Sequence, residues 1–73
     1  MNKVRRKSLQ EISDQIEELK AEIEAVQEEE EECHENMIEG TEMYDISEEA
    51  IDNMSSAVSS LEEALDYLMA AIE

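Results

Sequence analysis

Two runs of apolar residues, with alternating spacings of three and four, constrain this chain more than any other feature of its sequence. The first run is Leu9, Ile12, Ile16, Leu19, Ile23 and Val26, and its rhythm continues to Glu30, Cys33 and Met37. The second run is Ile51, Met54, Val58, Leu61, Leu65, Leu68 and Ile72. Such spacing places one apolar stripe along a helix at about 3.5 residues per turn. The pattern therefore predicts two long amphipathic helices.

One glycine, Gly40, separates the two runs, and the chain contains no proline. We expect a single domain with a helix over about 3–37, a turn over about 38–46 and a helix over about 47–72. Because the connection is short, the helices should be antiparallel neighbours. The expected fold is all-α, an antiparallel, coiled-coil-like two-helix hairpin.

The ends of the turn carry residue types that favour helix termini. Gly40 suits a left-handed helix end, and Ser47 suits the N-cap of the second helix. Ile46 and Ile51 would then form a hydrophobic staple across that cap. Asp45 is an alternative start two residues earlier.

A row of alanines recurs every seven residues beside the second apolar stripe, at Ala50, Ala57, Ala64 and Ala71. Two helices alone do not need this row, whereas small side chains allow a further helix to approach closely. A chain of this length also has little core of its own. We therefore expect a homodimer or higher homo-oligomer, most simply a four-helix bundle, with the alanine row and the two apolar runs at its seam.

The charge of the chain is strongly acidic and unevenly distributed. There are 22 acidic and five basic residues, and the formal net charge is −17. Residues 9–73 contain all 22 acids and one lysine, so their net charge is −21. This charge disfavours direct binding of nucleic acid or anionic membranes, and it suits a basic protein surface. The other four bases lie in the first eight residues: Lys3, Arg5, Arg6 and Lys7.

This basic N-terminus should extend beyond the second helix by two to three turns. Positive side chains at a helix N-terminus oppose the helix dipole, so they need acidic neighbours. Asp66 and Glu73 are expected close by, and in an antiparallel dimer the partner's Glu28–Glu32 is a second candidate neighbour.

No combination of residues points to catalysis or to a cofactor. Glu31 and His34 have the spacing found in di-iron helices, but the second apolar stripe offers no acid to complete such a site. We expect no enzymatic activity, cofactor or metal centre, with Cys33 a small buried hydrophobe and His34 exposed. A single cysteine and the lack of any apolar run of ~20 residues predict a cytoplasmic protein without a membrane span.

A second protein partner would use the exposed charges and the methionine-rich turn. The candidate partner surface is Arg5, Arg6, Lys7, Glu28, Glu29, Glu31, Met43 and Tyr44. Methionine suits adaptable binding surfaces, and aromatic residues are frequent in interface hot spots.

Three further functions stay open beside the binding of a protein partner. One is DNA mimicry. A hairpin about 40 Å long with a net charge of about −21 carries roughly one negative charge per 2 Å of its length, and duplex DNA carries one per ~1.7 Å. The others are a structural oligomerisation module and a sponge that binds an anionic nucleotide through Arg5, Arg6 and Lys7. The acids of the mimic would be Glu22, Glu24, Glu28, Glu29, Glu31 and those of the second helix.

Several segments resemble a known group of proteins. They are Arg5-Arg6-Lys7-x-Leu9-x-x-Ile12, the glutamate-rich stretch, Glu35-Asn36-Met37-Ile38-Glu39 and the acidic Leu/Ala-rich second helix. Together they resemble small uncharacterised acidic helical-hairpin proteins of Firmicutes phages, prophages and mobile elements. Where that group is expected to have an Asp-Asn-Met-Pro-Glu turn, this chain lacks the proline. The resemblance implies a phage-type accessory role in a bacterial host, such as inhibition of a host or defence protein in counter-defence, and it implies no catalytic residue.

Overall fold

The computed structural model describes residues 1–73 as two long helices that pack against each other in a hairpin. Helix α1 spans Lys3–Glu35 and helix α2 spans Glu42–Ile72, so 88% of the chain is helical and none is strand. The hairpin forms a rod of 55 × 15 × 12 Å. The predicted all-α hairpin is therefore confirmed, whereas the pairing of two hairpins stays a prediction. Neither helix has an apolar stretch long enough to cross a lipid bilayer.

Asparagine caps helix α1 at both ends, with Asn2 before it and Asn36 after it. The side chain of Asn2 accepts a hydrogen bond of 2.9 Å from the backbone N–H of Arg5. At the other end, the backbone N–H of Asn36 donates to the carbonyl of Cys33, three residues back instead of four. This tighter final turn ends the helix at Glu35, two residues earlier than predicted.

Helix α2 begins five residues earlier than predicted, because Thr41 and not Ser47 is its N-cap. The Oγ1 of Thr41 accepts from the backbone N–H of Tyr44 at 3.2 Å and donates to the carbonyl of Ile38 at 2.7 Å. Ser47 lies inside the helix, as does Ile46, so the predicted staple does not form. The alternative start at Asp45 is wrong for the same reason. The first suitable hydroxyl after the break, that of Thr41, therefore caps α2.

Gly40 lies in the six-residue connection, not at the end of α1. Its φ of +88° is a left-handed backbone conformation that glycine adopts without a steric penalty. It is the only residue of the chain with a positive φ. The chain therefore reverses direction at its single glycine, immediately before the N-cap of α2.

The two helices contact each other along one side only, and no apolar side chain is buried. The single buried residue is Ser47, whose exposed fraction is 5%. The half-buried residues of α1 that face α2 are Leu9, Ser13, Ile16, Lys20, Ile23, Gln27, Glu30 and His34. Those of α2 include its whole predicted stripe: Ile51, Met54, Val58, Leu61, Leu65, Leu68 and Ile72. Helix α1 thus turns only alternate members of its apolar stripe towards α2.

The capping role of Thr41 predicts a defined loss of stability. Replacing Thr41 with alanine should lower the free energy of unfolding by about 1 kcal/mol, because the N–H of Tyr44 loses its acceptor. Urea unfolding followed by circular dichroism, at one fixed protein concentration, measures this change. The matched control Thr41→Ser keeps the hydroxyl and should stay close to the parent. Equal stability of the alanine variant and the parent would contradict the assignment of this cap.

Candidate interaction surface

One row of the α1 stripe points away from α2 into solvent. Ile12, Leu19 and Val26 have exposed fractions of 45%, 55% and 54%, and Cys33, seven residues further along, is also exposed. The expectation that Cys33 is buried is therefore wrong. These four residues recur every seven positions, so they form a continuous line along one side of the hairpin.

The exposed row of α1 adjoins the alanine row of α2. Leu19 and Val26 line a shallow groove of about 630 Å³ together with Met54, Ala57 and Leu61. Ala57 and Ala71 are exposed, while Ala50 and Ala64 are half-buried. We call this side of the hairpin the apolar face. It consists of Ile12, Leu19, Val26, Cys33, Ala50, Met54, Ala57, Leu61, Ala64, Leu68 and Ala71.

The apolar face contains no charged residue, although the chain carries −17. The next row outward on α2 is uncharged as well, and its members are Ile46, Asn53, Ser60 and Tyr67. On α1 the neighbouring row contains two acids, Glu22 and Glu29. The acids of α2 lie on its other sides, so the acid nearest this face is Glu22, which lines the edge of the groove.

The opposite side of the helix contact is polar. There α1 contributes Ser13, Lys20, Gln27 and His34, which also recur every seven residues and are half-buried. Lys20 forms the one ion pair of the chain, with its Nζ 3.3 Å from Oε1 of Glu62. Sequence reasoning missed this row because it searched the heptads for apolar residues alone. The polar heptad row beside the apolar stripe was the available signal.

A small polar cluster joins the helices near the turn. The hydroxyl of the buried Ser47 donates to Oε2 of Glu30 at 2.8 Å. One turn further on, the rings of His34 and Tyr44 stack with their centroids 4.1 Å apart and their planes 31° apart. His34 is thus half-buried and not exposed as predicted, and its Nδ1 is enclosed without a hydrogen-bond partner. Ser13 Oγ is the only other side-chain atom in that situation.

The turn end of the rod concentrates negative charge. Residues 28–49, which we call the acidic end, contain 11 of the 22 acids and no lysine or arginine. Three large apolar side chains are exposed among them, namely Ile38, Met43 and Ile46, with exposed fractions of 76%, 70% and 59%. Sequence analysis named Met43 but missed the two isoleucines, because Ile46 was assigned to a staple and Ile38 to the turn.

The predicted partner-surface residues are divided between the two ends of the rod. Glu28, Glu29, Glu31 and Met43 are exposed at the acidic end, where Tyr44 is half-buried against His34.

Residues 3–8, which we call the basic overhang, lie at the opposite end and are all exposed. Their four bases form no ion pair within the chain, whether with Asp66, with Glu73 or with any other acid. These charges remain available for another molecule.

The bond between Ser47 and Glu30 predicts a measurable coupling between the helices. Ser47→Ala removes the donor to a half-buried carboxylate, and a hydrogen bond to a charged group contributes about 1.5–3 kcal/mol when water is excluded. Because Glu30 is half exposed, we expect the free energy of unfolding to fall by about 1 kcal/mol relative to Ser56→Ala. Ser56 is exposed on α2 without a side-chain bond, so this control has the same gain in helix propensity. Equal unfolding midpoints in urea for the two variants would refute the bond.

No group of three or more histidine, cysteine, aspartate or glutamate side chains is arranged to hold a metal ion, and Glu31 and His34 are not joined by a third such residue. Searches of family models, curated proteins and solved structures gave no match to this chain.

Proposed function

We propose that this protein acts by binding another protein through its acidic end, without catalysing a reaction. The observation that carries the proposal is the exposure of Ile38, Met43 and Ile46 within a segment that contains 11 acids and no lysine or arginine. Acids alone would serve solubility. Large apolar side chains exposed among them add the kind of contact that supplies most of the free energy at protein interfaces.

The partner that fits this surface has an apolar pocket surrounded by lysine or arginine. Met43 and Ile46 are the proposed anchors, and Met43 suits an imperfectly matched pocket because its side chain is flexible. Glu28, Glu29 and Glu31 would face the basic rim, where they accelerate association and select the partner. Binding should therefore weaken as salt concentration rises.

The resemblance of the basic N-terminus and turn segment to small phage and mobile-element proteins supports a biological setting for this activity. In that setting the protein is an accessory factor in the cytoplasm of a bacterial host. Its binding inhibits a host or defence protein. The acidic end suits such a target when the target's own ligand is anionic, because both ligands then compete for one basic site.

The proposal predicts that loss of three acids near the turn weakens partner binding about tenfold. The test immobilises the parent and the variant Glu28→Gln/Glu29→Gln/Glu31→Gln, and captures proteins from a Firmicutes lysate at low salt. Mass spectrometry identifies what the parent retains, and calorimetry with the purified partner measures the two dissociation constants.

A matched control is Glu11→Gln/Glu17→Gln/Glu18→Gln, which changes the net charge equally but lies towards the other end of α1. It should retain the partner with nearly unchanged affinity. A second arm, Met43→Ser, should weaken binding without any change in charge. If both triple variants lost the partner equally, or if Met43→Ser had no effect, the acidic end would not be the binding site.

DNA mimicry is a second candidate, favoured by the elongated shape and the outward-facing acids of both helices. The 55 Å rod with −17 carries roughly one negative charge per 3 Å, about half the density of duplex DNA and less than the sequence-based value. A mimic would be displaced from its partner by duplex DNA. A partner of the acidic end that does not bind DNA would eliminate this candidate.

A further inference from the structure

We infer that the apolar face is covered by a second copy of this chain, placed antiparallel along the long axis of the rod. In this dimer α1 packs on the partner's α1, α2 packs on the partner's α2, and each basic overhang lies on the partner's acidic end. The inference rests on the apolar face and not on the proposed function, although each basic overhang would lie beside the binding site proposed at the acidic end.

The apolar face requires a cover because the hairpin alone buries no apolar side chain. Ile12, Leu19 and Val26 expose about half of their surface along one line. In a four-helix bundle each helix contacts two neighbours, and its apolar stripe is divided between them. The division of the α1 stripe, with one row towards α2 and one row outward, is the arrangement such a helix would have.

The absence of charge on the apolar face identifies the occupant as a copy of the same chain. A copy also carries −17, so it can approach closely only where acids are absent from both surfaces. The apolar face comes nearest to this condition, because Glu22 is the one acid that lines its groove, whereas a basic partner would be attracted to the other sides of the rod. The distance between packed helices depends on the side chains at the contact, so the row that contains Ala57 allows two copies of α2 to lie close together.

The distribution of charge selects the antiparallel orientation. A dimer with both turns at the same end would place two segments with 11 acids each side by side. In the antiparallel dimer these segments lie at opposite ends, and each is next to the four bases of a basic overhang, which make no ion pair within their own chain. Opposite charges placed side by side in this way attract each other.

The spacing of the exposed α1 row is compatible with this orientation. Because its members are seven residues apart, pairing Leu19 with Val26 of the partner also pairs Ile12 with Cys33 of the partner. The same register carries Arg5 to the turn of the partner, beside Glu39. The groove formed by Leu19, Val26 and Ala57 then lies near the two-fold axis.

The orientation is tested by the distance between two spin labels. The variant Cys33→Ala/Glu39→Cys places one label at the exposed turn of each chain, outside the apolar face. In the antiparallel dimer the labels lie at opposite ends of the rod, about 50 Å apart at ~1.5 Å per residue. Double electron–electron resonance should show this distance. A distance below about 25 Å, as expected for two turns at the same end, would overturn the orientation.

The mass of the protein in solution tests whether a second copy of the chain covers the apolar face. Analytical ultracentrifugation of the parent should give a dimer, and Leu19→Glu should raise the dimer dissociation constant about a hundredfold or more, because it places a charge in the contact. Ala21→Glu adds the same charge at an exposed position off the apolar face and should leave the dimer intact. A folded monomer of the parent at micromolar concentration would overturn the inference, even if Leu19→Glu failed to fold.

Discussion

Two helices in a single layer can shield their apolar stripes from water on one side only, and the rest of this structure depends on that constraint. The contact between α1 and α2 half-buries the α2 stripe and alternate members of the α1 stripe, and it buries a single residue, Ser47. Burial of an apolar side chain stabilises a fold by about 1.5–3 kcal/mol only when it is nearly complete, and ordering each residue costs a similar amount. Polar contacts at the turn fix the register of the helices, but they do not replace a core.

The sequence predicted the helices because both apolar runs keep a strict heptad spacing, and it predicted the hairpin because one glycine interrupts them. The predicted start of α2 was wrong because Ser47 and Thr41 are both good N-caps. Only the hydrogen bond that the N–H of Tyr44 donates to Thr41 Oγ1 decides between them. The sequence did not reveal the rotation of α1 about its own axis relative to α2. The spacing places Ile12 and Ile16 on one stripe, but the stripe is wide enough to be divided between two neighbours, and only the packing shows which row faces α2.

The two surfaces of the molecule would serve different partners. The apolar face takes a second copy and completes the core, and the acidic end, beside the basic overhang of that copy, takes a different protein. Pairing would also double the charge of the rod to −34 over about 55 Å, roughly one charge per 1.6 Å. That value is close to the ~1.7 Å per charge of duplex DNA, which a single hairpin does not reach. Dimerisation therefore determines whether the mimicry of DNA is electrostatically plausible.

We propose that this chain folds only as its apolar face is covered by a copy of itself. Thermal unfolding followed by circular dichroism at 222 nm, over about a hundredfold range of protein concentration, tests this most directly, because the stability of a dimer that folds on association depends on concentration. We predict that the unfolding midpoint rises steadily with concentration and that helix content falls at the lowest concentrations. A midpoint that does not change across the range would show that the hairpin is stable alone, and it would contradict the claim.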